Sequence, residues 1–381
     1  MIKIKLSKNI DVDELVKAIN FVSPFIKNIK ILSSKAILIN IKKEASADDI
    51  KKIDEDVTYL SQKFVKIGDC DEILYKNDVI IPKYFDVYKK NDNLIFFTNY
   101  QIGFTNKGLF LFEYFDTKFK KFAMTIGAIE KVYPVLITIR EYLKTGYIKK
   151  TPQATIFCNT IRESIKDIEN LDAAICQNST NLKLKEPEFV LSPSACFHSY
   201  IEYQNRNLDK NLILTFKQNV FRNEGRLNFK EKGRLIDYHV REIVFIGDSI
   251  FVEKKRHQIL KKIITFIEEL GLSGRIVVAS DSFILPKLQR YRSIQKIDKS
   301  KFEVQLNIEE NRNIAVASLN LHGKSFSDPF NISVNNVDTV TGCVGFGIQR
   351  WILAFISQYG WDVNNWPNII KEVYIKTKGD K

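Results

Sequence analysis

A succession of short β-rich runs fills the second half of the chain, at 189–191, 212–216, 219–223, 238–246, 276–280, 301–308 and 313–320, with one strong helix among them. Strands that follow one another with few helices argue for a largely antiparallel sheet and against a doubly wound parallel one. The interrupting helix spans roughly 251–270, carries Leu260, Ile263, Ile264 and Ile267, and is stopped by Gly271. A closing helix carries Ile348, Trp351, Ile352 and Phe355. Neither GxxxxGKS/T nor GxGxxG follows a strand, so phosphate-loop and Rossmann readings fail.

Ahead of this sheet the chain divides in two. Residues 1–65 read as a small α/β module in β-α-β-β-α order, a ferredoxin-like half. Ile2, Ile4 and Leu6 alternate with lysines, Val12, Leu15, Val16 and Ile19 have helical spacing, and Ile29–Leu32 and Ala36–Ile39 flank a Ser33-Ser34 turn. Ser46 then caps a helix with Ile50, Ile53, Val57, Leu60 and Phe64 on one stripe. Residues 66–105 read as a connector ending in strands, and 106–381 as the main domain. Leu109, Phe112, Phe115, Phe119 and Phe122 mark a helix with an aromatic face, a packing stripe and a candidate dimer contact. Ala128–Ile139 is β-branched with Pro134 in its middle, which places it at a sheet edge or a subunit boundary.

Composition sets outer bounds. A chain of 381 residues, 45% of them hydrophobic, buries a sizeable core and is not disordered. Its apolar runs fall far short of the roughly 20 residues that span a bilayer, so no membrane role is expected, and the absence of an apolar leader block predicts a cytoplasmic protein. Five scattered cysteines, Cys70, Cys158, Cys176, Cys196 and Cys343, contain no CxxC pair, so any metal site assembles from distant segments. The net charge of +13 favours polyanionic partners without choosing among RNA, nucleotide and acidic protein.

Two stretches stand out chemically. Phe221-Arg222-Asn223-Glu224 leads through a basic loop to Arg234-Leu235-Ile236-Asp237-Tyr238-His239-Val240-Arg241-Glu242, an antiparallel pair that places Arg222, Glu224, Tyr238 and Glu242 on one surface. Arginine there suits phosphate and tyrosine suits stacking on a base. Cys343-Val344-Gly345-Phe346-Gly347-Ile348-Gln349-Arg350 runs from a strand into a helix with Arg350 in its first turn. Each alone has a plain structural reading, as a surface ion pair and as a turn.

In this order, with Pro134 before them, these stretches resemble the three motifs of class II aminoacyl-tRNA synthetases. Ser194-Ala195-Cys196, Arg241-Glu242, Lys301-Phe302-Glu303, Ala317-Ser318-Leu319-Asn320-Leu321-His322, Thr341-Gly342-Cys343 and the tail Tyr359-Gly360-Trp361-Asp362 to Trp366-Pro367 resemble, more narrowly, the amino acid–carrier protein ligases, relatives of seryl-tRNA synthetase. The resemblance covers roughly residues 100–370 and implies an α+β fold, an antiparallel sheet flanked by helices in a homodimer. It implies zinc on Cys196, Glu242 and Cys343; two thiolates and a carboxylate leave a fourth tetrahedral position for a substrate amino group. It further implies ATP bound by Arg222, Glu224, Tyr238, Glu303, Gly347 and Arg350, with Arg222 on the α-phosphate, Arg350 on the γ-phosphate end, Tyr238 under adenine, and Mg²⁺ on the phosphates. Ser318 and Asn320 fall to the amino acid.

The expected function is ATP-dependent formation of an aminoacyl-adenylate and transfer to the phosphopantetheine thiol of a carrier protein. The alternatives are a tRNA synthetase or other RNA-using transferase, and a non-catalytic relative. Gln349 stands where the motif has glutamate, which argues for the last. Ile314 stands where a magnesium-binding carboxylate is usual, leaving Glu303 to supply it. His198, His239, His257 and His322 read as structural; His198 and His322 lie nearer the motifs, and His322, which follows Asn320, is the one candidate to reach substrate.

Overall fold

The computed structural model describes residues 1–7, 9–66, 72–98, 100–171 and 183–379; Cys70 and Cys176 lie outside them. An eight-stranded sheet organises the molecule. Its strands run, in spatial order, Ile73–Asn77, Gly274–Val278, Lys301–Glu309, Arg312–Gly323, Val340–Gly347, Asp237–Gly247, Leu212–Phe221 and Ile129–Glu130. Every neighbouring pair is antiparallel except the last, where Ile129–Glu130 pairs parallel with Leu212–Phe221. The fold is the expected α+β arrangement, a largely antiparallel sheet flanked by helices. Ile73–Asn77, inside the stretch read as a connector, is the sheet's outer strand.

Because side chains alternate across a strand, the sheet has two different faces. Ile243, Phe245, Phe302, Val304, Leu319, Val344 and Phe346 point to one, where the helices Asn106–Met124, Ser249–Glu269 and Ile348–Tyr359 cover them. Phe119 stacks on Phe346 at 4.2 Å, and Phe115 and Phe119 both lie against Trp351. Each ring buried this way contributes roughly 1.5–3 kcal/mol relative to exposure. The aromatic stripe is therefore not a dimer contact: Phe115 and Phe119 are wholly enclosed by their own chain, and only Leu109 lies well exposed. Behind the sheet Arg241 makes a two-pronged ion pair with Asp116, at 2.7 and 2.9 Å.

The runs 212–216 and 219–223 are one continuous strand, Leu212–Phe221. Its polar centre is satisfied by tertiary partners: Gln218 donates to the Pro134 carbonyl at 2.8 Å and Lys217 lies 3.3 Å from Asp116. Pro134 sits between two short strands, Ile129–Glu130 and Leu136–Thr138, beside exposed Val132 and Leu136.

Residues 2–61 form a separate layer, a three-stranded antiparallel sheet (Ile2–Lys5, Ala36–Ile41, Ile26–Ser33 in spatial order) packed on the helices Val12–Ile19 and Ala47–Ser61. Ser46 and Asp49 form a reciprocal capping box on the second helix. Among the described residues no helix is long and apolar enough to cross a membrane.

Candidate active site

The other face of the large sheet collects the chemistry. Registers place Glu242 opposite Gly345, Gly345 opposite Ser318, and Ser318 opposite Glu303. One step along, Val244, Cys343, Asn320 and Lys301 line up in the same way. Period-two alternation therefore puts Tyr238, Glu242, Cys343, Ser318, Asn320, Lys301 and Glu303 on one surface. Arg241, next to Glu242, faces backward to Asp116, so it is no partner for that carboxylate.

Cys196 reaches the same surface from the turn before the short helix Phe197–Glu202. Ligand atoms of Cys196, Glu242 and Cys343 lie within 4.8 Å of one another and all three residues are buried. No other group of three such side chains converges this closely among the described residues. Burial pushes the Glu242 carboxyl up to about 7, against the pull of Cys343 and of the Arg222 guanidinium. The Cys343 thiol is pushed well up by its hydrogen bond with Cys196 and by burial. These are buried groups that a cation would relieve of their protons. A β-carbon on Gly345 would come 2.8 Å from Glu242 Oε2, so glycine keeps that carboxylate's cradle open. Ser194 Oγ at 3.3 Å from Cys196 Sγ and Asn320 Nδ2 at 3.6 Å from Cys343 Sγ surround the sulfurs with polar groups. The residues fit a tetrahedral cation with one open position.

Arg222 and Arg350 come from segments more than a hundred residues apart and meet at Tyr238. Their guanidinium carbons lie 5.8 and 5.7 Å from the centre of its ring. Arg222 Nε donates to the Pro193 carbonyl at 2.7 Å. Arg350 is fixed twice, to the carbonyls of Gly233 at 2.9 Å and Ala315 at 3.1 Å. Each keeps guanidinium donors beyond these bonds. Glu224 is held by Arg234 at 2.9 Å. A β-carbon on Gly347 would meet nothing nearer than 3.6 Å, so no close packing within the chain requires glycine there.

Sequence reasoning missed a charged cluster beside these arginines. Lys301 Nζ lies 2.7 Å from Asp281 and 3.2 Å from Glu303, and Gln295 donates to Asp281 at 2.8 Å. Burial works against ionisation of Asp281, but Lys301, Gln295 and Arg222 together bring its carboxyl down to about 2. Lys301 and Glu303 were visible as a motif; Asp281, in an irregular segment after Gly274–Val278, left no periodic signal. Glu303, expected to hold magnesium, is shared with Lys301, and Ile314 packs against the main core.

The remaining expectations sort by side. Gln349 does not share the surroundings of Arg350: its Oε1 accepts the His239 backbone N–H at 2.9 Å and its Nε2 lies 3.2 Å from His239 Nδ1. His239 faces away from the site, edge-on to Phe112, as alternation predicts. His198 is buried against the Leu136 carbonyl, and His257 is exposed. His322 is in the site, 3.6 Å from Cys343 Sγ and 3.2 Å from Thr341 Oγ1, with Tyr200 OH at 3.3 Å. Burial lowers its imidazole to about 4.

No family model matches the chain. It is 29% identical over 262 residues to a type-2 serine–tRNA ligase of Methanococcus aeolicus, a match covering 65% of this chain and 50% of that one. It is 30% identical over 262 residues to the same-named protein of Methanococcus maripaludis, covering 65% and 51%. The match thus spans about half the length of these curated relatives. Among solved structures it is similar to M. kandleri SerRS in complex with A. aeolicus tRNASec, with a TM-score of 0.67, 19% identity, and 99% and 77% of the two chains covered. The cytoplasmic serine–tRNA ligase of Naegleria fowleri, in complex with AMP, gives a TM-score of 0.60 at 10% identity over 86% and 71%. The fold is class II aminoacyl-tRNA synthetase-like. The narrower likeness to carrier protein ligases is not upheld. Relatives named for tRNA ligation, and a structural neighbour bound to tRNA, overturn the expected transfer to a carrier protein.

Proposed function

We propose that this chain activates serine with ATP and transfers the seryl group to tRNA. The observation that carries the reading is the meeting, on one sheet face, of the Cys196–Glu242–Cys343 triad with two guanidinium groups at Tyr238, in a chain whose relatives are named serine–tRNA ligases. A carboxylate oxygen of serine attacks the α-phosphorus of ATP, the bond to the β-phosphate oxygen breaks, and seryl-adenylate and pyrophosphate result. A ribose hydroxyl of the tRNA end then attacks the seryl carbonyl, and AMP leaves.

Each side chain has a task that its position supports. Arg222, fixed through Pro193, bears on the α-phosphate where charge builds, and Arg350 takes the far end of the triphosphate. Tyr238, between them, offers its face to adenine. Glu224 reaches the adenine amino group while Arg234 fixes its other side. Asn320, Ser318 and His322 line the amino-acid end. Cys196, Glu242 and Cys343 would hold zinc, which would supply a Lewis-acidic position for the α-amino group and so favour free amino acids. The magnesium that ATP ordinarily requires would fall to Glu303 and Asp281, the two carboxylates that share Lys301. The exposed apolar residues beside Pro134 are the seat proposed for a second copy of the chain. Positioning and charge neutralisation carry the reaction, with no protein nucleophile.

Amino-acid-dependent exchange of pyrophosphate into ATP, run across the twenty amino acids with zinc analysis of the same sample, tests the first half. Serine is expected to stand alone and the sample to hold about one zinc per chain, matching the single triad. Charging of tRNA tests the second. Absence of serine-dependent exchange sinks the activation step, and exchange without charging sinks the transfer.

A further inference from the structure

The loop between the strands Leu212–Phe221 and Asp237–Gly247 carries Arg222, Glu224 and Arg234, and residues 1–65 grip it from outside. Asn20 Nδ2 donates to Asn228 Oδ1, and Arg226 donates to the Ile26 carbonyl. Asn228 in turn donates to the Glu224 carbonyl at 2.7 Å, so the grip reaches a residue of the site. Gly225 holds a φ of +87°, and a β-carbon there would stand 2.6 Å from the ring of Phe21. Leu227, 8% exposed, is buried in the N-terminal layer's own core. A second grip falls on the segment that carries Asp281. Ser282 Oγ donates to Glu14 at 2.6 Å, Arg292 pairs with Asp11 at 2.7 Å, and Ile284 packs on the same core. Among the described residues no such contact joins residues 1–65 to Cys196, Glu242, Cys343, Ser318 or Asn320.

We infer that the N-terminal module is a positioning element for the nucleotide half of the site: it orders the loop Arg222–Ile236 before ATP arrives. The inference rests on the nucleotide reading given above. An unanchored loop loses backbone conformational entropy when it is ordered. Whatever the module does not order must be ordered by the ligand, at the expense of ATP affinity. Serine binding, built on paired strands, is spared. The module contributes position; it touches no reacting atom.

Two variants test this in the full-length protein: Phe21→Ala, which removes the ring packed on Gly225, and Arg226→Ala, which removes an exposed side chain and leaves the core intact. Both are expected to raise the KM for ATP about tenfold, the scale of one lost positioning contact, with the KM for serine changed less than about twofold. Hydrogen exchange across 222–236 is expected to quicken, while the strand Asp237–Gly247 keeps its protection. Phe21→Leu and Arg226→Lys are expected to restore both readouts. Unchanged loop exchange with an unchanged KM for ATP in Arg226→Ala overturns the inference, as does an equal rise in both KM values. If the parent protein shows no serine-dependent exchange, the function proposed above fails, and loop exchange still decides the anchoring by itself.

Discussion

Replacing Gly345 with alanine inserts a single methyl group into the sheet face that carries Glu242. Gly345 lies within a regular strand and outside the positive-φ glycines, so alanine meets no backbone strain. The cost is steric and local. The new β-carbon falls 2.8 Å from Glu242 Oε2 and 3.4 Å from Val240 Cγ1, so the carboxylate oxygen must retreat by about 0.6 Å to reach ordinary contact. Metal–ligand distances tolerate only about 0.2 Å. Glu242 has little room to recover by rotation, being 4% exposed between neighbouring strands. Zinc affinity is expected to fall 10–100-fold, the usual result of disturbing a ligand's support, with pyrophosphate exchange falling alongside. Overpacking of this kind costs about 1–3 kcal/mol, so the protein still folds. Competition against a chromophoric chelator measures the affinity, and a melting curve confirms the fold. Gly347→Ala, whose β-carbon finds 3.6 Å of clearance, is expected to keep zinc affinity. If Gly345→Ala binds zinc as tightly as the parent, the cation reading of the triad is refuted.

Other expectations separate the two halves of the site. Cys196→Ala is expected to lose both metal and exchange, while Arg222→Ala keeps the metal and loses roughly 10²–10³-fold in kcat/KM for exchange; metal analysis beside kinetics distinguishes them. Gln349→Glu is expected to leave exchange within about threefold of the parent, because His239 Nδ1 can take the proton that the new carboxylate needs as a donor; a larger loss would show that this position senses ATP. For Asp281, with its carboxyl held at about 2 against an ordinary 3.8, the unfolded chain binds the extra proton. Its contribution to stability is therefore complete above the ordinary value and lost as pH falls through the folded one. The gap in melting temperature between the parent and Asp281→Asn is expected to close between about pH 4 and pH 2. A gap that stays constant across that range contradicts the ion pair with Lys301.

Elements with a single dominant period were legible in the chain itself. The strand–helix–strand–strand–helix order of residues 2–61 and the helix Ser249–Glu269 follow from alternation, apolar spacing and caps. So did the convergence of Cys196, Glu242 and Cys343, through motif order and not through spacing. What was illegible depended on partners far along the chain. Leu212–Phe221 looked broken because Lys217 and Gln218 carry polarity that only Asp116 and Pro134 explain. The aromatic stripe announced a buried face without saying what buries it, and Phe346 and Trp351, more than two hundred residues away, supply the cover. Gln349 looked like a lost charge beside Arg350 because a linear motif does not state which way a side chain turns. Asp281 and the contacts of Gly225–Asn228 with the N-terminal layer leave no periodic trace at all.

The pairing of Asp237–Gly247 with Val340–Gly347 has a bearing on how the chain reaches its final state. A slip of one residue between these strands would set Val344 in place of Cys343 and turn the sulfur toward the helices. Glu242 and Cys343 stand a hundred positions apart, and Cys196 lies on a third segment, so no early local structure brings the donors together. On the proposed cation reading, ion capture would be confined to molecules whose strands are correctly aligned, and a bound ion would act as a seal on the finished register, penalising any misaligned chain by the whole of its binding energy.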